Sequence, residues 1–87
     1  MSLKIHDLKN KILYRSSYRG TKEMDILLKS FVYDIIDDLE AKELENLLDL
    51  LKIDDVNLYK YKQGLKTEIN IKETYITNLF KKYNYKK

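Results

Sequence analysis

The sequence predicts an all-α fold, a small antiparallel bundle of about five helices, and three observations carry that prediction. Apolar residues recur at steps of three and four along most of the chain, the spacing that lines one face of an α-helix. There is no proline and there are two glycines, which argues against collagen-like, linker-like and turn-dense β chains. Apolar residues make up 44% of the 87, enough for a core, while charged residues at 36% interrupt them too often for a membrane span. A chain of this length forms one domain and buries only roughly 60–65% of the surface it exposes when unfolded, so its core must be efficient.

The first apolar set is Ile5, Leu8 and Ile12, widened by Leu13, and predicts a helix over residues 5–16 before Gly20 interrupts the pattern. Met24, Leu27, Leu28, Phe31, Val32, Ile35 and Ile36 form the strongest set, one wide face of a second helix. Asp37 and Asp38 end it, because both prefer caps and turns to helix interiors. A third helix over residues 40–52 turns Leu44, Leu47, Leu48 and Leu51 inward and Lys42, Glu43, Glu45 and Asp49 outward. Asp54 or Asp55 suits the N-cap of a fourth helix that ends near Gln63. Gly64 then fits a left-handed position, with Leu65 folding back on the helix. Residues 66–71 are ambiguous: Ile69 and Ile71 alternate as in a strand, but a lone strand has nothing to pair with. From Lys72 the helical spacing returns as Ile76, Leu79, Phe80 and Tyr83, and short loops join the five helices.

The net charge of +3 divides unevenly, as +5 over residues 1–22, −8 over 23–58 and +6 over 59–87. Lys81, Lys82, Lys86 and Lys87 crowd the last seven residues, so residues 81–87 read as a mobile basic tail on a near-neutral body. A tail is a weaker sign of phosphate binding than a basic stripe on a folded face. It leaves open one alternative, a small basic nucleic-acid-binding module that uses the first helix and the tail. Tyr83 and Tyr85 among those lysines resemble a short stacking platform. Tyr33, Tyr59, Tyr61, Tyr75 and Tyr83 otherwise fall where helices should pack.

Catalysis finds no equipment. The chain has no cysteine, and its one histidine, His6, lies near the N-terminus without a nucleophile to serve. One histidine cannot make a zinc site, and two isolated glycines cannot make a phosphate-cradling loop. The pairs Asp37–Asp38 and Asp54–Asp55 lack the alternating ligands of a calcium loop and punctuate helices instead. Lys4, His6, Asp7, Lys9 and Lys11 break up any N-terminal apolar run, and the expectation is a bacterial, cytoplasmic protein with no membrane contact.

Arginine is the anomaly. The chain uses fifteen lysines and two arginines, and both arginines lie four residues apart at Arg15 and Arg19. Either they are surface cations placed by chance, or these two sites need the planar fork, which grips carboxylates and tolerates partial burial better than an ammonium does. Gly20, Glu23 and Asp25 follow directly. Gly20 reads as the break between two helices, and Glu23 as the N3 residue of a capping arrangement at the start of the second.

The string Tyr14-Arg15-Ser16-Ser17-Tyr18-Arg19-Gly20-Thr21-Lys22-Glu23-Met24-Asp25-Ile26-Leu27-Leu28, with Phe31 after it, resembles the signature of the succinate dehydrogenase assembly factor family, the flavinylation factors. That signature has an Arg-Gly-x-x-Glu core. The likeness continues through Glu43-Leu44, Leu47-Leu48, Asp55-Val56-Asn57-Leu58-Tyr59, Tyr61 and Gly64, about residues 12–65 in all. Tyr18 stands where many members carry a second arginine and Tyr61 where many carry tryptophan, and the proline common after Gly64 is missing.

The resemblance implies an assembly chaperone that is not an enzyme. It would bind the flavoprotein subunit of succinate dehydrogenase, or of fumarate reductase, and promote covalent attachment of FAD to a histidine of that subunit. The FAD belongs to the partner, and this chain holds no cofactor. Arg15, Ser16, Arg19, Gly20, Glu23 and Asp25 would form the partner-binding corner. Both guanidinium groups would offer charge-assisted hydrogen bonds outward, Gly20 would allow close approach, Glu23 would reach toward the flavin region and Asp25 would support the rim. Charged outer faces favour a monomer. An adaptor that grips a partner helix through an exposed apolar groove is a third reading.

Overall fold

The computed structural model describes residues 2–17 and 19–84. It is all-α, as the periodicity predicts: α1 (Ser2–Arg15), α2 (Lys22–Ile35), α3 (Ala41–Leu51), α4 (Asp55–Gln63) and α5 (Tyr75–Lys82), with a single 3-10 turn over Ile36–Asp38. No strand occurs among the described residues. Tyr18, Tyr85, Lys86 and Lys87, which figure in the signature and the expected tail, lie outside the described residues; Lys81 and Lys82 form the last turn of α5.

Helices α2, α4 and α5 begin where a side chain accepts from one of their first free amides. Thr21 caps α2 by accepting from the Met24 N–H at 3.1 Å, and Thr74 caps α5 by accepting from Thr77 N–H at 3.1 Å. Thr77 Oγ1 returns the bond by accepting from Thr74 N–H at 2.7 Å. At α3 the Glu43 carboxylate reaches back to the Glu40 N–H at 3.0 Å. Gly64 ends α4 at φ 77°, where the Leu65 N–H donates to Lys60 O (2.8 Å) and the Gly64 N–H to Tyr61 O (3.2 Å).

The core draws on every helix: Ile12 from α1; Met24, Leu28, Phe31 and Val32 from α2, with Ile36 just beyond; Leu44, Leu47, Leu50 and Leu51 from α3; Leu58 and Tyr61 from α4; Ile76 and Phe80 from α5. Full burial of such side chains contributes roughly 1.5–3 kcal/mol each. Phe31 meets Phe80 and Tyr83 edge to face, with centroids 5.4 and 5.3 Å apart. Tyr83 also donates to Asp34 Oδ2 at 2.6 Å, so the residue after α5 is pinned to α2.

Three expectations need correction. Residues 64–74 form a long irregular connection, not a short loop, and α5 starts at Tyr75 because Thr74 caps it. That connection is tied down by Asn57, whose Oδ1 accepts from Glu68 N–H at 2.8 Å, and by Ile71, which packs on the core. Tyr33, Tyr59 and Tyr75 do not pack between helices; they are 63%, 55% and 59% exposed. Leu50 is buried, whereas its neighbour Leu48 is only partly so.

Candidate functional site

Arg19 sits between α1 and α2 with its side chain 11% exposed, turned into the protein. Its Nε and Nη2 both lie 2.9 Å from Asp55 Oδ1. Nη1 donates to Arg15 O (3.2 Å) and Leu51 O (2.9 Å), and Nη2 to Ile53 O (2.8 Å). Arg15 and Leu51 are the last residues of α1 and α3, so one guanidinium closes the carbonyl ends of two helices, where a cation complements the helix dipole. Asp55 opens α4, the end at which a carboxylate is favoured. Its other oxygen, Oδ2, accepts the Gly20 N–H at 2.6 Å. Arg19, Asp55 and Gly20 therefore form one clamp that joins the α1–α2 corner to the α3–α4 corner.

This geometry corrects the expectation that both arginines face outward. The carboxylate that Arg19 grips belongs to its own chain. Ser16 is also interior, 1% exposed, and its hydroxyl donates to Leu13 O at 2.8 Å. Gly20 is exposed and has no left-handed φ; what it supplies is room, since a Cβ there would stand 2.9 Å from Asp55 Oδ2.

Arg15, Glu23 and Asp25 remain. Arg15 is exposed and lines a cleft of about 400 Å³ with Tyr14, Ser17 and Asp54. Glu23 is exposed at the second position of α2. Thr21, one residue later than Gly20, is the N-cap, so the N3 residue is Met24 and the Glu23 carboxylate takes no part in capping. Asp25 is half-buried, with Oδ1 enclosed and no hydrogen-bond partner among the described residues.

Glu23 borders a second cleft, of about 450 Å³, with Met24, Val56, Tyr59, Lys60 and Leu65. Val56, Tyr59 and Leu65 are 58%, 55% and 55% exposed there. The sequence reading missed this patch, because it set Tyr59 where helices should pack and Leu65 back on α4 after Gly64. The signal was available: Leu58 and Tyr61 already define the inner face of α4, which leaves Val56 and Tyr59 outside. Asp55 borders both clefts.

Asp54 caps α4 beside the clamp, accepting from Asn57 Nδ2 at 2.8 Å and from Asn57 N–H at 3.2 Å. These bonds, the side-chain amide first, hold its pKa below the ordinary aspartate value. Among the described residues no group of three His, Cys, Asp or Glu could hold a metal ion, and no helix is long and apolar enough to cross a membrane.

Residues 10–84 match the family described as flavinator of succinate dehydrogenase. A curated relative, the mitochondrial succinate dehydrogenase assembly factor 2 of Arabidopsis thaliana, is 29% identical over 52 residues. That alignment takes in 60% of this chain but only 28% of the relative's length. No solved structure matches. With the family match running from the middle of α1 past the end of α5, the chain belongs to the flavinator of succinate dehydrogenase family of assembly factors.

Proposed function

We propose that this protein binds the flavoprotein subunit of succinate dehydrogenase, or the related subunit of fumarate reductase, and promotes covalent attachment of FAD to it. The observation that carries the reading is Glu23: an exposed carboxylate, spared from capping, on a corner made rigid by the Arg19–Asp55–Gly20 clamp. Membership in a family described as flavinator of succinate dehydrogenase supports this choice of client.

A chaperone of this kind acts by preferring one client conformation. Raising a conformer from about 1% to about half of the population takes roughly 100-fold tighter binding to that conformer. The client supplies the histidine and the flavin; this chain supplies a fixed surface. Rigidity matters because a mobile corner would spend binding energy on its own ordering. Arg15 and Glu23 are exposed charged groups that can meet the client, whereas Asp25, with Oδ1 enclosed, would support the corner from within.

The test is co-expression with the flavoprotein subunit, scored by flavin fluorescence of the denatured subunit band. Glu23→Ala is expected to abolish the gain while helical circular dichroism stays unchanged. Normal flavinylation by that variant would refute the reading. Gly20→Arg is a poorer probe, because any side chain there strikes Asp55 and disturbs the clamp.

A further inference from the structure

The cleft between the start of α2 and α4 is not explained by the fold. Val56, Tyr59 and Leu65 stand more than half exposed along it, while α4 buries Asn57, Leu58 and Tyr61 on its other side. Single exposed apolar residues are ordinary, but three lining one cleft of about 450 Å³ beside a free carboxylate form a patch of the kind that marks an interaction surface.

The charges on its rim say what would fit. Lys60 lies 3.6 Å from Glu68, and Asp55 is held by Arg19. Glu23 has no ion pair among the described residues, so the uncompensated charge on the rim is negative. A second copy of this chain would present the same trio and another Glu23, and an isologous contact would set like charges on the same patch.

We infer that this cleft seats one bulky apolar side chain of the client flavoprotein, on a segment whose adjoining lysine or arginine pairs with Glu23. The inference rests on the client reading above and divides its labour. Tyr59 and Val56 supply affinity as a desolvated anchor, and Glu23 fixes the register of the segment.

The experiment titrates the flavoprotein subunit of succinate dehydrogenase against the intact chain and its Val56→Asp, Tyr59→Ala and Glu23→Gln variants, at low and high salt. Val56→Asp and Tyr59→Ala are expected each to weaken binding about tenfold or more, a loss typical of an anchor residue. Glu23→Gln should weaken it less and flatten the dependence on salt, since it removes the screened pair. Should Val56→Asp perturb the circular dichroism, Tyr59→Ala and Leu65→Ser carry the comparison. Wild-type affinity in the cleft variants alongside a loss in Glu23→Gln would overturn the cleft and leave the client reading standing. No binding by the wild type would overturn both. A dimer that Val56→Asp converts to a monomer, with client affinity unchanged, would make the patch a self-association face and end the proposal.

Discussion

At Arg19 the choice of one amino acid has a physical cause. Its fork reaches Asp55 and three main-chain carbonyls, a task that three donors on a flexible ammonium cannot match. The pair is part-buried, and losing hydrogen bonds to a charged group of this kind costs about 2–3 kcal/mol. In a domain of this size each kcal/mol lowers Tm by roughly 4–8 °C. Arg19→Ala is therefore expected to lower Tm by more than about 10 °C, and Arg19→Lys by a smaller but clear amount; thermal melts followed by circular dichroism decide it. Gly20→Ala tests the same unit from the other side. Its methyl would meet Asp55 Oδ2 at 2.9 Å, and a carboxylate already gripped by Arg19 has little room to retreat, so a loss of stability is expected there too. The lysine-rich composition offered two readings of Arg19, a surface cation placed by chance or a fork that grips a carboxylate. It did not disclose whose, because Asp55 lies 36 positions away and no local pattern links them.

At the scale of the element, the helices were legible because their apolar periods are long and regular. The 64–74 connection was not, because it is held by single bonds from distant residues, such as Asn57 Oδ1 to the Glu68 N–H, which leave no period in the sequence. The cation on α5 is of the same kind: Lys62 of α4 donates to Phe80 O at 2.8 Å and also reaches Tyr83 O, closing the carbonyl end of α5, and burial draws its pKa below the ordinary lysine value. At the start of α4 the Asp54 cap carries a dependence on pH. Its pKa is lowered by the Asn57 amide and N–H, so its stabilisation is complete above the unfolded aspartate value of about 3.9 and is lost as pH falls through the lower folded value. The Tm difference between the wild type and Asp54→Ala is accordingly expected to be constant from about pH 5 to 7 and to close below about pH 4. A gap that persists in acid would mean that the cap does not depend on the charge.

The molecule as a whole separates residues that hold the fold from residues that face outward, and the signature mixes the two. One core cluster includes residues of all five helices, so unfolding should be a single cooperative event, with far-ultraviolet circular dichroism and tyrosine fluorescence changing together. Ser16, Arg19 and Gly20 belong to that event through the end of α1 and the clamp. Arg15 and Glu23 do not: both are exposed, and surface substitutions of this kind usually move stability by less than about 0.5 kcal/mol. Plotting flavinylation of the co-expressed subunit against Tm should therefore give two populations. Variants at Ser16, Arg19 and Gly20 should lose activity in step with stability and recover part of it at lower growth temperature, where more of the chain is folded. Variants at Arg15 and Glu23 should lose activity at unchanged Tm and recover nothing on cooling. If Arg19→Lys instead lost flavinylation with its Tm preserved, the clamp would have a direct role toward the client, and the boundary between scaffold and surface would run through Arg19 itself.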